Sequence, residues 1–216
     1  MQAAGGFPVD LVIFAMIAAF LVLRLRSILG KKTGFEGGAA PAVGLVARPA
    51  GVEEVKATAG RKLPDAAGPV GRTLAAMQAA DRRFDPAQFL AGAEQAFRMI
   101  VEAFAAGQRD RLRGLLTPET YTAFEGVIVA REAEGHTQRT DLGSIDEVTI
   151  TDASLAGNTA TIVVRFVSNQ VNLTSDAAGA PVCGTDAVTE IHDLWSFVRE
   201  LGQVDLTWRL AAARSV

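Results

Sequence analysis

The sequence predicts an α+β fold, with N-terminal helices packed on a curved antiparallel sheet of about four strands. A membrane helix and a linker are expected to precede it. Three observations carry this expectation. Apolar residues recur at helical spacing from Phe84 to Gly135, the period changes to two after Gly143, and glycine-containing turns then punctuate the chain at hairpin distances. Helices first and hairpin-linked strands afterwards is the order of an α+β domain.

The first element is the uninterrupted apolar run Leu11–Leu23. As a helix it covers about 20 Å against a hydrocarbon core of roughly 30 Å, and extension to Phe7–Leu29 closes the gap. Arg24 and Arg26 then lie at one end, where long cationic side chains reach the headgroups. The run has no polar face, which favours spanning over lying flat in the interface. Asp10 is the only charged side chain before it, and Arg24, Arg26, Lys31 and Lys32 follow it. A secretory signal has the opposite order, so the segment reads as an uncleaved anchor with the following residues on the cytoplasmic side. Residues 1–33 are the anchor with its basic flank. Residues 34–83 read as a flexible linker, broken by Gly37-Gly38 and Pro64 to Pro69, with at most a helical turn near Thr73 to Ala80.

Residues 84–216 form the expected domain. Asp85 is an N-cap, Pro86 suits the first helical position, and Phe84 and Phe89 are spaced for a hydrophobic staple. Phe89, Ala93, Phe97, Ile100, Val101 and Phe104 share one face of the helix, which Gly107 ends. A short helix follows from Arg109 to Leu116. A third, capped by Thr117 and opened by Pro118, turns Tyr121, Phe124, Val127 and Ile128 to one side and stops at Gly135. Strands are expected around Val148 to Leu155, from Thr159 to Val171 after the Gly157-Asn158 turn, from Val188 to Arg199, and from Leu206 to Leu210 with Trp208. In the third strand Ile191, Trp195 and Phe197 share a face, so they and the helical set Phe97, Val101 and Phe104 are expected to face each other across any cavity. With Phe124 and Trp208 these aromatic and aliphatic groups are the expected core or pocket lining.

Charge is divided: residues 1–83 carry a net +5 and residues 84–216 a net −8. An acidic domain argues against nucleic acid as a partner, because phosphate neutralisation needs a basic face. The basic stretch beside the anchor suits an anionic leaflet, so Arg24, Arg26, Lys31 and Lys32 are the candidate lipid-headgroup contacts. The single cysteine, Cys183, excludes an internal disulfide, and no Cys/His cluster has zinc spacing. No cofactor or metal motif is present. Of the two histidines, His136 follows a helix end, where the dipole accounts for it. His192 should point away from the Ile191–Trp195–Phe197 face, because strand neighbours alternate. Arg109, Arg111 and Arg113, with Asp110 among them, read as a solvated helix face, with a headgroup or acidic-partner contact as the alternative.

Several stretches together resemble the bacterial Tim44-like domain proteins, relatives of the mitochondrial import protein Tim44. They are Arg24 to Glu36, Phe89 to Phe97, Leu112 to Leu116, Ala130-Arg-Glu132 with Gly135, Val164-Arg-Phe166, Asp193-Leu-Trp-Ser-Phe197, and Trp208-Arg-Leu210. The resemblance implies a cone-shaped NTF2-like domain with a hydrophobic pocket. It also implies contact with anionic lipid such as cardiolipin, and a role in protein translocation or membrane-protein assembly. The chain departs from the family in having Leu206-Thr207 where Pro-Asn usually precedes the late tryptophan, and in lacking the long N-terminal region of the mitochondrial members. The expected protein is a non-catalytic binding module, single-pass in a bacterial inner membrane with its C-terminal domain cytoplasmic, whose partners are anionic lipid and membrane or translocation-associated proteins. The rival is a small enzyme on the same fold, using His192 or a pocket carboxylate such as Glu190 or Asp193 as general base.

Overall fold

Among residues 60–216, which the computed structural model describes, the chain runs β1 (Gly60–Lys62), α1 (Pro69–Ala80), α2 (Pro86–Ala105), α3 (Arg109–Leu115), α4 (Pro118–Ala133), β2 (Thr137–Ala156), β3 (Thr159–Ser175), β4 (Pro181–Glu200) and β5 (Arg209–Ser215). The sheet order is β1-β2-β3-β4-β5. β1 is parallel to β2 and every other pair is antiparallel. The fold is therefore α+β, with helices on one face of a meander.

Local chemistry sets the helix starts. The Asp85 carboxylate accepts from the Gln88 N–H at 2.7 Å, and Pro86 opens α2. Thr117 does the same for α4 through the Thr120 N–H at 3.3 Å, followed by Pro118. A side-chain acceptor satisfies an amide that has no partner within the helix, and proline has no amide to satisfy. Phe84 and Phe89 meet at 6.2 Å across the start of α2, as the staple spacing predicts. The inward rows of α2 and the sheet interlock at Phe97, whose ring stacks on Phe166 at 4.4 Å and lies 4.6 Å from Trp195. All three are buried.

Four features differ from the sequence reading, one of them that β4 begins at Pro181 rather than Val188. Gly60 to Arg83, placed there in the linker, carry β1 and α1. Leu74 and Met77 of α1 are buried in the main core, and Gly71 packs against the Asp65–Ala66 backbone. Five of the helix's twelve residues are alanine or glycine, and its two large buried side chains leave little periodicity to detect. β2 begins at Thr137, well before Gly143, because its first inward row is Gln138, Thr140 and Leu142. That row is too polar to show an apolar period of two. The last strand starts at Arg209 rather than Leu206. Trp208 stays outside it, drawn onto Phe89 at 4.7 Å and Phe84 at 5.6 Å.

The longest departure of β4 from regular pairing lies beside the polar half of β3. Asn172 pairs with Thr185 and Gln170 with Thr189, so the two strands are out of step between them. Gly184, just before this irregularity, has φ +88, and a Cβ there would collide with the Asn172 carbonyl oxygen. Left-handed backbone and close approach both require glycine. Gly184→Ala is expected to lower stability by about 1–3 kcal/mol, read as a lower denaturation midpoint with an unchanged slope.

Candidate binding site between the helices and the sheet

The inward face of β3 is a single alternating row: Ile162, Val164, Phe166, Ser168, Gln170, Asn172. Its first half is apolar and forms the core floor. Its second half is polar yet buried, with Ser168 0%, Gln170 5% and Asn172 8% exposed. Buried amides and hydroxyls need partners, and here they satisfy one another. Gln170 Nε2 donates to Ser168 Oγ at 2.8 Å, Asn172 Nδ2 to Gln170 Oε1 at 3.1 Å, and Thr140 Oγ1 to Asn172 Oδ1 at 2.6 Å. Gln138 Nε2 donates to Thr140 Oγ1 at 3.2 Å, and Arg131 donates to Gln138 Oε1. Arg131 Nη2 also donates to the Phe104 and Ala105 carbonyls, at 3.0 and 3.2 Å. These are carbonyls of the last turn of α2, which lack partners within the helix. Burial lowers the Arg131 pKa from its usual value.

Opposite this polar row stand Ile100, Val101 and Phe104 of α2 and Phe124 and Val127 of α4. Between the two walls lies a cavity of about 120 Å³, closed at its sides by Ile191, Asp193, Trp195 and Ala213. Ile100 and Trp195 are buried, while Val101, Phe104, Phe124, Val127 and Ile191 are half-buried, so the cavity opens to solvent. Its volume suits one large apolar side chain or the end of an acyl chain. Cavities of this size lined by apolar groups take guests such as benzene.

The structure thus brings together Val101, Phe104, Phe124, Ile191 and Trp195 of the expected lining set. It separates the other three. Phe97 is wholly buried beneath the cavity floor. Phe197 and Trp208 line a second cavity of about 350 Å³ with Phe84, Phe89, Ala93 and Arg199. The expectation of a mainly apolar cavity holds: Ile191, Trp195 and Ala213 add to the apolar helical wall, and the amides and hydroxyls of β2 and β3 are its polar part. The amide and hydroxyl row was missed because the Ser168–Gln170–Asn172 alternation continues the apolar row in phase but in polar residue types; that phase was the available signal.

The candidate general bases are placed apart. His192 lies on the convex face, 34% exposed, with Nε2 2.8 Å from Glu190 Oε1 and Nδ1 3.2 Å from Arg165 Nη2. Asp193 faces the cavity, contrary to a purely apolar lining, and accepts from Ser215 Oγ at 2.6 Å. The Arg109–Arg113 cluster is largely engaged within the fold. Arg109 forks onto Glu132 at 2.6 and 3.1 Å, and Arg113 donates to the Tyr121 hydroxyl at 3.0 Å. Among the described residues no group of His, Cys, Asp and Glu is arranged to hold a metal ion, and no helix is long and apolar enough to cross a membrane. The Leu11–Leu23 run and Arg24, Arg26, Lys31 and Lys32 lie outside the described residues.

A family model, the Tim44-like domain, matches residues 70–215. The chain belongs to the Tim44-like domain family. The match takes in all four helices almost from the first residue of α1 and excludes β1, so α1 belongs to the family domain. Among solved structures, the chain is similar to the intermembrane space region of the chloroplast protein ARC6, at 14% identity and TM-score 0.45 over 62% of this chain and 98% of that one. It is also similar to a putative dehydratase of the NTF2-like family from Streptomyces avermitilis, at 15% identity and TM-score 0.37 over 60% of this chain and 97% of that one. A search of curated proteins finds no match. Within this Tim44-like domain Arg131, from the Ala130-Arg-Glu132 stretch, closes the end of α2 and starts the polar row, and Trp195, from the Asp193–Phe197 stretch, forms the cavity end.

Proposed function

We propose that this Tim44-like chain is a non-catalytic binding module, tethered to a bacterial inner membrane, that takes an apolar group of a lipid or client protein into the cavity between α2, α4 and the sheet. The observation that carries the reading is the cavity itself: an open, mainly apolar recess of one-side-chain size whose polar groups are already hydrogen-bonded to one another. Burying an apolar group there is favourable by about 25 cal/mol per Å², less the ordering cost of binding. A general base needs a substrate proton within reach: His192 and Glu190 sit on the far face of the sheet, and Asp193, the one candidate that faces the cavity, is held by the Ser215 hydroxyl at 2.6 Å. Membrane attachment is assigned to residues 1–33, with Arg24, Arg26, Lys31 and Lys32 on anionic headgroups such as cardiolipin and the domain on the cytoplasmic side. We place the chain in protein translocation or membrane-protein assembly, a reading that membership of the Tim44-like family supports.

The test is a pair of substitutions in the full chain, reconstituted in nanodiscs and challenged with a fluorescent hydrophobic probe. Val101→Phe, which fills the cavity, is expected to weaken probe binding at least about tenfold, on the scale of one buried side chain. His192→Ala is expected to leave it unchanged. Loss of binding with His192→Ala and not with Val101→Phe contradicts the proposal.

A further inference from the structure

β5 covers only part of its neighbour. It pairs with β4 from Asp193 to Val198, and the Val216 N–H donates to the His192 carbonyl at 2.9 Å. Among the described residues, no strand pairs with the outer edge of β4 before His192. In an extended strand alternate residues direct their backbone groups to the same side. His192 directs its carbonyl toward β5, so Glu190 directs its N–H and C=O to the same, uncovered edge. Ile191, between them, turns its side chain inward and lines the cavity. Directly opposed residues of paired strands share a face. A residue placed opposite Ile191 by a strand continuing the line of β5 therefore sends its side chain inward, toward the cavity. Val188, 69% exposed beside the same edge, supplies an apolar contact.

We infer that the ligand of this site is an extended peptide segment that adds a short strand to β4 at Glu190 and inserts one large apolar side chain into the cavity. The inference rests on the cavity being the binding site and names the class of ligand it takes. Two independent features agree: a strand edge next to Ile191 that no described strand covers, and a volume of about 120 Å³ that fits a single side chain. Strand addition takes its affinity from main-chain hydrogen bonds and its selectivity from the pocket. The irregular pairing between Thr185 and Thr189 ends the available edge, so the added strand is short.

The probe is a capped tetrapeptide that begins with phenylalanine, to stand opposite Ile191, and continues with threonine and valine along the open edge, fluorescently labelled at its far end and titrated against the full chain in phosphatidylcholine nanodiscs. Glu190→Pro removes one edge donor that alternation turns away from β3, towards the side where no described strand pairs, and proline is tolerated on an edge strand. It is expected to weaken binding about tenfold, as is N-methylation of the peptide amides, while Glu190→Ala binds like the parent. Val101→Phe is expected to abolish binding. If Val101→Phe abolishes binding but Glu190→Pro and N-methylation leave it intact, the cavity takes a side chain without strand addition and this inference falls while the binding module stands. If a short-chain phosphatidylglycerol fills the cavity and the peptide does not compete, the ligand is lipid and the inference falls. If neither peptide nor lipid binds in a Val101-dependent way, the binding module falls with it. A peptide effect that appears only with chain self-association assigns the edge to a second copy and also overturns the proposal.

Discussion

Phe97→Ala is expected to destabilise the domain by about 3–5 kcal/mol, the cost of a large aromatic removed from a packed core. Phe97 has no exposed surface, and its ring touches Phe166 and Trp195, so its loss opens a void beneath the binding cavity that neither rigid neighbour can fill. At about 2–4 °C per kcal/mol for a domain of this size, the melting temperature falls by roughly 10 °C. Phe124→Ala makes the contrast. Phe124 meets Phe104 at 5.0 Å but is half-buried at the cavity wall, so its truncation is expected to cost clearly less stability and to enlarge the cavity. Thermal and denaturant midpoints of the two variants check the ranking.

The second large effect is expected where α1 meets the sheet. Asp81, at the end of α1, accepts from Arg199 Nη2 at 3.0 Å, and both side chains are almost fully buried, at 3% and 5% exposure. Arg83 adds a second pairing to the same carboxylate at 3.0 Å, and the Gly202 N–H a weaker one at 3.4 Å. The Arg199 guanidinium also lies 5.1 Å from the Trp208 ring centre. Removing one partner of a buried pair leaves the other charge without compensation, which is the costly direction. Asp81→Asn is therefore expected to lower the melting temperature sharply. Replacing both Asp81 and Arg199 by apolar residues should recover part of that loss. The pairing holds the Asp81 carboxyl well below its ordinary value of 3.8, chiefly through its hydrogen bonds to Arg83. A depressed carboxylate contributes stability that is complete above the unfolded value and is lost as pH falls through the native one. The parent should thus lose stability steeply below pH 3.8, and Asp81→Asn should show a shallower acid limb. Asp205, held at about 2 by Thr207 and Arg209, adds to the same limb with the same sign. An acid limb as steep in Asp81→Asn as in the parent contradicts the assignment.

How much of this was legible in the sequence follows from what each residue had to do. Asp85, Pro86, Thr117 and Pro118 act locally, so the helix starts could be read directly. The Gly157-Asn158 turn fixed the β2–β3 hairpin, with Ala156 opposite Thr159. Ile191 and Trp195 were placed on one face with His192 on the other, because alternation is a property of the strand itself. What the sequence concealed were elements whose side chains are paid back by distant partners rather than by a local pattern. α1 shows only Leu74 and Met77 as large buried groups. The start of β2 is polar because it builds the lining. Asp193 shares the inward face of Ile191 and Trp195, and the alternation that turned His192 outward placed it there. Ser168, Gln170 and Asn172 resemble a solvated strand end until Thr140, Gln138 and Arg131 are seen to complete their hydrogen bonds.

The most direct test of the central claim uses Trp195, the tryptophan that lines the cavity. In full-length Trp208→Phe protein in nanodiscs, Trp195 is the only tryptophan left, so its emission reports the cavity alone. A hydrophobic ligand carrying a bromine on its apolar group quenches an indole it touches. The account predicts saturable quenching of Trp195 that disappears in the Val101→Phe variant and persists in His192→Ala. Quenching that rises linearly without saturation, or that is the same with the cavity filled, would contradict the claim that this Tim44-like domain binds an apolar group between its helices and its sheet.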